Sequence, residues 1–130
     1  MIVLDTHVWW WSISEPAQLS RKARQFIMKI PPEQRAIASI SIWEFAMMVT
    51  RGRIAMTISP DEWLDYAINK TGLMILELNS KIALESCNLP GNFHKDPADR
   101  IIVATARVSR SQLITKDQKI IEYPHVTTVW

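Results

Sequence analysis

The chain carries one cysteine, Cys87, among its 130 residues. A lone thiol excludes an internal disulfide framework and a cysteine-rich zinc site, and nothing argues for an oxidising compartment, so the cytoplasm is the expected location. Long apolar runs are also missing. The opening MIVLDTHVWWW is hydrophobic but has no basic leader and meets Asp5 at once, and the stretch from Ile101 to Val108 is short and carries Arg107. Neither a signal peptide nor a membrane span is expected. No internal repeat and no low-complexity segment is present. Charge of one sign does not dominate either: 15 Lys and Arg against 13 Asp and Glu leave a net charge of +2. That mild basicity permits a polyanionic partner without requiring one. What remains, 48% hydrophobic and 22% charged residues, is ordinary globular composition with enough apolar mass for one core, so a single domain over residues 1–130 is expected.

Along the chain, short apolar runs alternate with longer amphipathic stretches. MIVLD reads as a buried strand. LSRKARQFIMKI reads as a helix, with Ser20 as its cap and Pro31-Pro32 just beyond its end. AIASI reads as the next strand, followed directly by SIWEFAMMVTRG, where Ser41 is a candidate N-cap, Glu44 completes a capping box and Gly52 stops the helix. SPDEWLDYAINKTG repeats the pattern with Ser59, Pro60 and Glu62 and closes at Gly72, before the strand LMILEL. A helix over 79–88, a loop with Pro90 and Gly91, the helix opened by Asp96, and the strands QLIT and VTTVW around a helical turn after Asp117 complete the chain. Strands separated by helices imply right-handed crossovers, hence an α/β fold whose mainly parallel sheet is covered on both faces.

Parallel sheets collect ligands outside the carboxyl ends of their strands, where the following loops and helix N-termini gather. Four acids hold such places. Asp5 ends the first strand, Glu44 lies in the first helical turn after the second, Asp99 lies in the first turn of DPADRIIVATA, and Asp117 follows LIT. Each also has a local use: Asp5 can cap the helix from Thr6, Glu44 can be the far half of a capping box, and Asp117 can fold back in an Asx-turn. In HKDPADR, Asp96 is a natural N-cap, Pro97 suits the first helical position and Asp99 falls at the third, where a negative charge meets the positive helix end. Asp96 therefore reads as the structural acid and Asp99 as the ligand. Carboxylates clustered without a cation repel and raise one another's pKa, whereas Mg²⁺ or Mn²⁺ prefers carboxylate oxygens with several waters. Such a set makes most sense around metal.

MIVLDTH, SISIWEFAMM, HKDPADRIIVATA and LITKD, in that order and spacing, resemble a PIN domain of the small single-domain type found in the VapC toxins of bacterial toxin–antitoxin pairs, and the likeness spans essentially the whole chain. The resemblance implies a three-layer α/β/α sandwich of about five strands, similar in fold to flap-type nucleases, and a Mg²⁺- or Mn²⁺-dependent endoribonuclease. The family's acidic, metal-holding positions fall on Asp5, Glu44, Asp99 and Asp117, with Thr115 as a polar supporter. The implied chemistry is hydrolysis of an RNA phosphodiester by metal-activated water. Arg100 beside Asp99 and Lys116 beside Asp117 are candidate phosphate contacts, Arg21, Lys22 and Arg24 a candidate backbone-binding stripe, and His94 a candidate proton donor.

The feature that the family pattern does not demand is Trp9-Trp10-Trp11. Three consecutive helical residues fan over roughly 200°, so at least one must lie near the surface. With Met47, Met48 and Met56, exposed aromatics suit a groove for the amphipathic helix of a cognate antitoxin, or cover a homodimer interface. Rival functions fit less well. An aspartyl-phosphate phosphatase wants a second aspartate where His7 stands, and a phospho-receiver wants an acceptor aspartate where LMILELNS offers Glu77 and Asn79. The alternative is a PIN-like RNA- or protein-binding module that has lost nuclease activity, against which the four intact acids count.

Overall fold

In β1 (Ile2–Leu4), Ile2 and Leu4 join one hydrophobic cluster and Val3 the other, and all three are sealed from solvent. A strand alternates its side chains between faces, so three buried residues in a row require cover on both sides of the sheet. The computed structural model describes residues 1–130 and supplies that cover. After β1 come α1 (Thr6–Ser14), α2 (Arg21–Lys29), β2 (Arg35–Ala38), α3 (Ile40–Thr50) and α4 (Pro60–Asp65), which runs on into a π-helical turn over Tyr66–Lys70. Then follow β3 (Met74–Leu76), α5 (Ser80–Cys87), α6 (Pro97–Val108), β4 (Gln112–Ile114), α7 (Gln118–Ile121) and β5 (Thr128–Val129). The five strands pair in the order β3-β2-β1-β4-β5, and every pair is parallel. The expected mainly parallel sheet is therefore wholly parallel, with β1 at its centre.

One face packs Ile2, Leu4, Ile37, Ile114 and Val129 against α1, α2 and the α4 segment. The other packs Val3, Ala36, Ala38 and Leu113 against α5, α6 and α7. The first face is built on aromatics. Trp63 stacks on Phe45 at 4.4 Å between ring centroids, and Trp9 and Trp10 each lie 5.0 Å from Trp63. The indole N–H groups of Trp10 and Trp63 leave this cluster through Glu15 Oε2 (3.1 Å) and Ser14 Oγ (2.8 Å).

Most of the expected caps form. The side chains of Ser20, Ser59, Asn79 and Asp96 accept the backbone N–H groups of Ala23, Glu62, Ile82 and Asp99. The exception is α3. Its N-cap is Ser39, whose hydroxyl accepts the N–H of Leu78 rather than one from its own helix, and Ser41 lies inside the helix, fully buried. The expected capping box does not exist, because the carboxylate of Glu44 is engaged by a different segment. The strand expected over AIASI accordingly ends at Ala38. The tryptophans divide as a helix requires: Trp9 and Trp10 are core, and Trp11 is half-buried at the rim. The groove expected over all three is thus reduced to the surface beside Trp11 and one edge of Trp10.

Candidate active site

Asp5 is the first residue past the central strand. Its backbone N–H extends the ladder to Ile114 O, while its side chain caps α1 by accepting Thr6 N–H at 2.8 Å. The second carboxylate oxygen accepts the hydroxyl of Thr115, at the end of neighbouring β4, at 2.7 Å. Thr115 Oγ1 also accepts the N–H of Asp117 at 3.0 Å, and Asp117 folds back to accept the N–H of Lys119 at 2.9 Å. Two adjacent parallel strands so hold two acids through one buried hydroxyl. The Asx-turn reading of Asp117 is correct, and it leaves the residue facing the same cavity as Asp5.

Glu44 arrives from α3. Thr6 Oγ1 donates to Glu44 Oε1 at 2.6 Å and lies 2.8 Å from Ser41 Oγ. A hydroxyl has one proton to give, so with that proton on the carboxylate, Ser41 serves as donor to Thr6. Thr6 and Ser41 are the residues that sequence reasoning missed. The available signal was a small hydroxyl directly after a strand-end acid, but its partner stands 38 positions away. Asp99 projects from the first turn of α6, with Oδ2 3.0 Å from His94 Nε2, at an angle that makes no hydrogen bond.

Asp5, Glu44, Asp99 and Asp117 line one cavity of about 440 Å³ together with Thr6, His7, Trp11 and Lys116. Asp96 and Arg100 do not line it. Asp96 is exposed and spends Oδ1 on the α6 cap, as expected. Arg100 turns inward: its Nε donates to Ser86 O and its Nη1 to the carbonyls of Phe93 and His94. These bonds pin the loop before α6 and leave Arg100 outside the cavity lining where a phosphate contact was expected. Arg21, Lys22 and Arg24 sit on α2, and none lines the cavity. A separate cleft of about 350 Å³ under α2 is lined mainly by apolar groups such as Leu4, Ile27 and Leu73 and carries no carboxylate.

Burial raises the pKa of Asp5, against the lowering effect of its hydrogen bonds to Thr115 and Thr6. Burial also raises Glu44, with the charges of Asp5 and Asp96 adding to it. Asp99 is pushed up to about 7, first by burial and then by the charges of Asp5, Asp96, Asp117 and Glu44. A helix N-terminus on its own would lower that carboxyl. The upward direction means that desolvation and mutual repulsion outweigh the dipole.

This donor set fits a hard dication. It is all oxygen and short of positive charge, and a cation would relieve the burial and mutual repulsion that raise Asp5, Glu44 and Asp99. No three His, Cys, Asp or Glu side chains close on one point as a finished coordination sphere. The acids line an open mouth, which suits an ion that keeps several of its waters.

A wholly parallel sheet with hydroxyl-braced carboxylates at its strand ends defines an α/β protein with an acidic centre. A family model described as PIN domain matches residues 2–126, and the chain belongs to that family. The chain is 34% identical over 131 residues to Ribonuclease VapC22 of Mycobacterium tuberculosis, covering 99% of this chain and 98% of that protein. In fold it is similar to a toxin-antitoxin complex chain from Klebsiella pneumoniae (TM-score 0.69, 23% identity, 100% of this chain and 97% of that one). It is likewise similar to a chain of VapBC2 from Rickettsia felis bound to a DNA fragment from its promoter (TM-score 0.70, 17% identity, 99% and 98% covered). The expected α/β sandwich and PIN resemblance both hold. No helix is long and apolar enough to cross a membrane.

Proposed function

We propose that the chain is a Mg²⁺- or Mn²⁺-dependent endoribonuclease and the toxin of a toxin–antitoxin pair, working in the cytoplasm as a homodimer. The observation that carries the reading is the gathering of Asp5, Glu44, Asp99 and Asp117, from four separate segments, on one cavity. The likeness to a ribonuclease over nearly the whole of both chains supports it.

The reaction is hydrolysis: the oxygen of a water bonds to phosphorus and one ester bond of the RNA backbone breaks. When bound, the dication supplies an acidified water and positive charge at the phosphate oxygens. The chain's own residues set this up. Asp5, Glu44, Asp99 and Asp117 would hold the cation through their carboxylate oxygens. Thr115 orients Asp5 and Asp117 together, and Thr6 orients Glu44. Lys116 on the rim faces the incoming phosphate. An antitoxin helix has a candidate seat beside α1, where the edge of Trp10, Ile13, Met56, Ile58 and Tyr66 line a shallow groove. The toxin complexes of similar fold support such a partner.

The test is cleavage of RNA by the purified chain in Mg²⁺, in Mn²⁺ and in excess chelator. Cutting is expected with either cation and none in chelator. Undiminished cutting in chelator, or no cutting under any of the three conditions, would overturn the reading.

A further inference from the structure

Trp11 is the one apolar side chain lining the acidic cavity. Its indole is half-buried, backed by the ring of Trp130 at 6.1 Å and flanked by His7 at 5.5 Å, and Lys116 Nζ lies 5.8 Å from its ring centroid. Neither ion pair of the chain involves Lys116, which is exposed. Trp9 and Trp10 are buried in the core, whereas Trp11 packs on its edge and stands half-buried at the mouth of a cluster of carboxylates. The acids and their cation would engage the phosphate that is cut, and none of them offers a surface to a base. The exposed Lys116 ammonium stands over the Trp11 ring, and where it swings aside to meet a phosphate, the indole offers a stacking face for the base.

We propose that Trp11 and Lys116 form a subsite for one unpaired nucleotide next to the bond that is cut, with the base on the indole and its phosphate on the ammonium. The inference rests on the ribonuclease reading and adds to it a contact to one base. A base paired in a duplex has no free face to lay on Trp11. At about 440 Å³, the cavity lies at the small end of the range for ligand sites, about 300–1,000 Å³. That is room for a single nucleotide. Stacking strength grows with ring area, so purines should outrank pyrimidines.

The experiment measures binding in the Asp99→Asn background with Mg²⁺, where RNA stays uncut, by fluorescence anisotropy. The probes are labelled oligo(A), oligo(U), an RNA duplex, and an abasic sugar-phosphate oligomer of equal length. Trp11→Leu fills the rim without a ring face, and Trp11→Phe keeps one. Trp11→Leu should weaken oligo(A) roughly five- to a hundredfold, oligo(U) less, and the duplex and abasic oligomer not at all, while Trp11→Phe should recover most of the loss. Lys116→Ala should weaken every probe and flatten the slope of log affinity against log salt by about 0.7. Equal losses of Trp11→Leu on all probes, equal behaviour of Trp11→Leu and Trp11→Phe, or no loss in Trp11→Leu or Lys116→Ala would overturn the proposal. Because this reads binding of intact RNA, its failure is distinct from a failure of wild type to cut in Mg²⁺ or Mn²⁺.

Discussion

Thr115 is fully buried, donates to Asp5 and accepts from Asp117. Replacing it with valine keeps the volume but leaves a buried carboxylate oxygen and a backbone N–H without partners, each worth about 1–3 kcal/mol. Thr115→Val should therefore lower stability by that order in chemical denaturation and push the Asp5 carboxyl still higher, since the lost bond is one that lowers it. Thr115→Ser should restore both. Asp99 makes the complementary case. Its carboxyl is held at about 7 by burial and four like charges, so Asp99→Asn should leave the metal-free protein as stable or more stable. Saturating Mg²⁺, worth about 2.7 kcal/mol at a hundredfold excess over Kd, should then stabilise wild type and scarcely the variant. Equal metal responses in thermal melts would show Asp99 to be a helix-starter only. At this scale Asp5, Thr115 and Asp117 were legible because each follows a strand end, whereas Asp99 follows a helix and lies in the first turn of the next one. Thr6 was not legible, because a hydroxyl declares its partner only once two distant segments meet.

Elements were legible wherever a local rule decides them. Ser20, Ser59 and Asp96 cap as their positions predict because the cap bond closes within three residues. The start of α3 was misread for the opposite reason. Ser41 and Glu44 have capping-box spacing, yet both face Thr6 on α1, and this long-range contact takes precedence over the local one. The aromatic face was half legible. The fan of three tryptophans required one at the surface, but nothing in sequence pairs Trp63 with Phe45. That contact sets a prediction. Trp63→Ala empties the centre of a four-ring cluster and should cost about 3–5 kcal/mol. Trp43→Ala, on a residue 56% exposed, should stay within about 0.5 kcal/mol. Equilibrium urea unfolding of the two variants checks the contrast.

For the molecule as a whole, the acidic centre sets how stability depends on pH. The folded chain holds a proton on Asp99 up to about 7, where the unfolded chain releases it near 3.8. Asp5 and Glu44 shift in the same direction. Between those values the folded state binds more protons, so metal-free stability should fall as pH rises and level off above about 7. On the proposed reading excess Mg²⁺ would bind the ionised carboxylates, so its stabilisation should grow over the same window and flatten or reverse the slope. Denaturation curves at several pH values, in chelator and in Mg²⁺, test this, and a metal-free stability that climbs with pH would refute it. A covered parallel sheet was readable from the alternation of elements. Its strand order was not, because strands of two to four residues carry too little pattern to name their neighbours. That order has a consequence during synthesis. β1 pairs with β4, Ile2 opposite Gln112, so the first strand made must wait for almost the last before Asp5 meets Thr115 and Asp117. A nascent chain still short of residue 112 has no complete cavity.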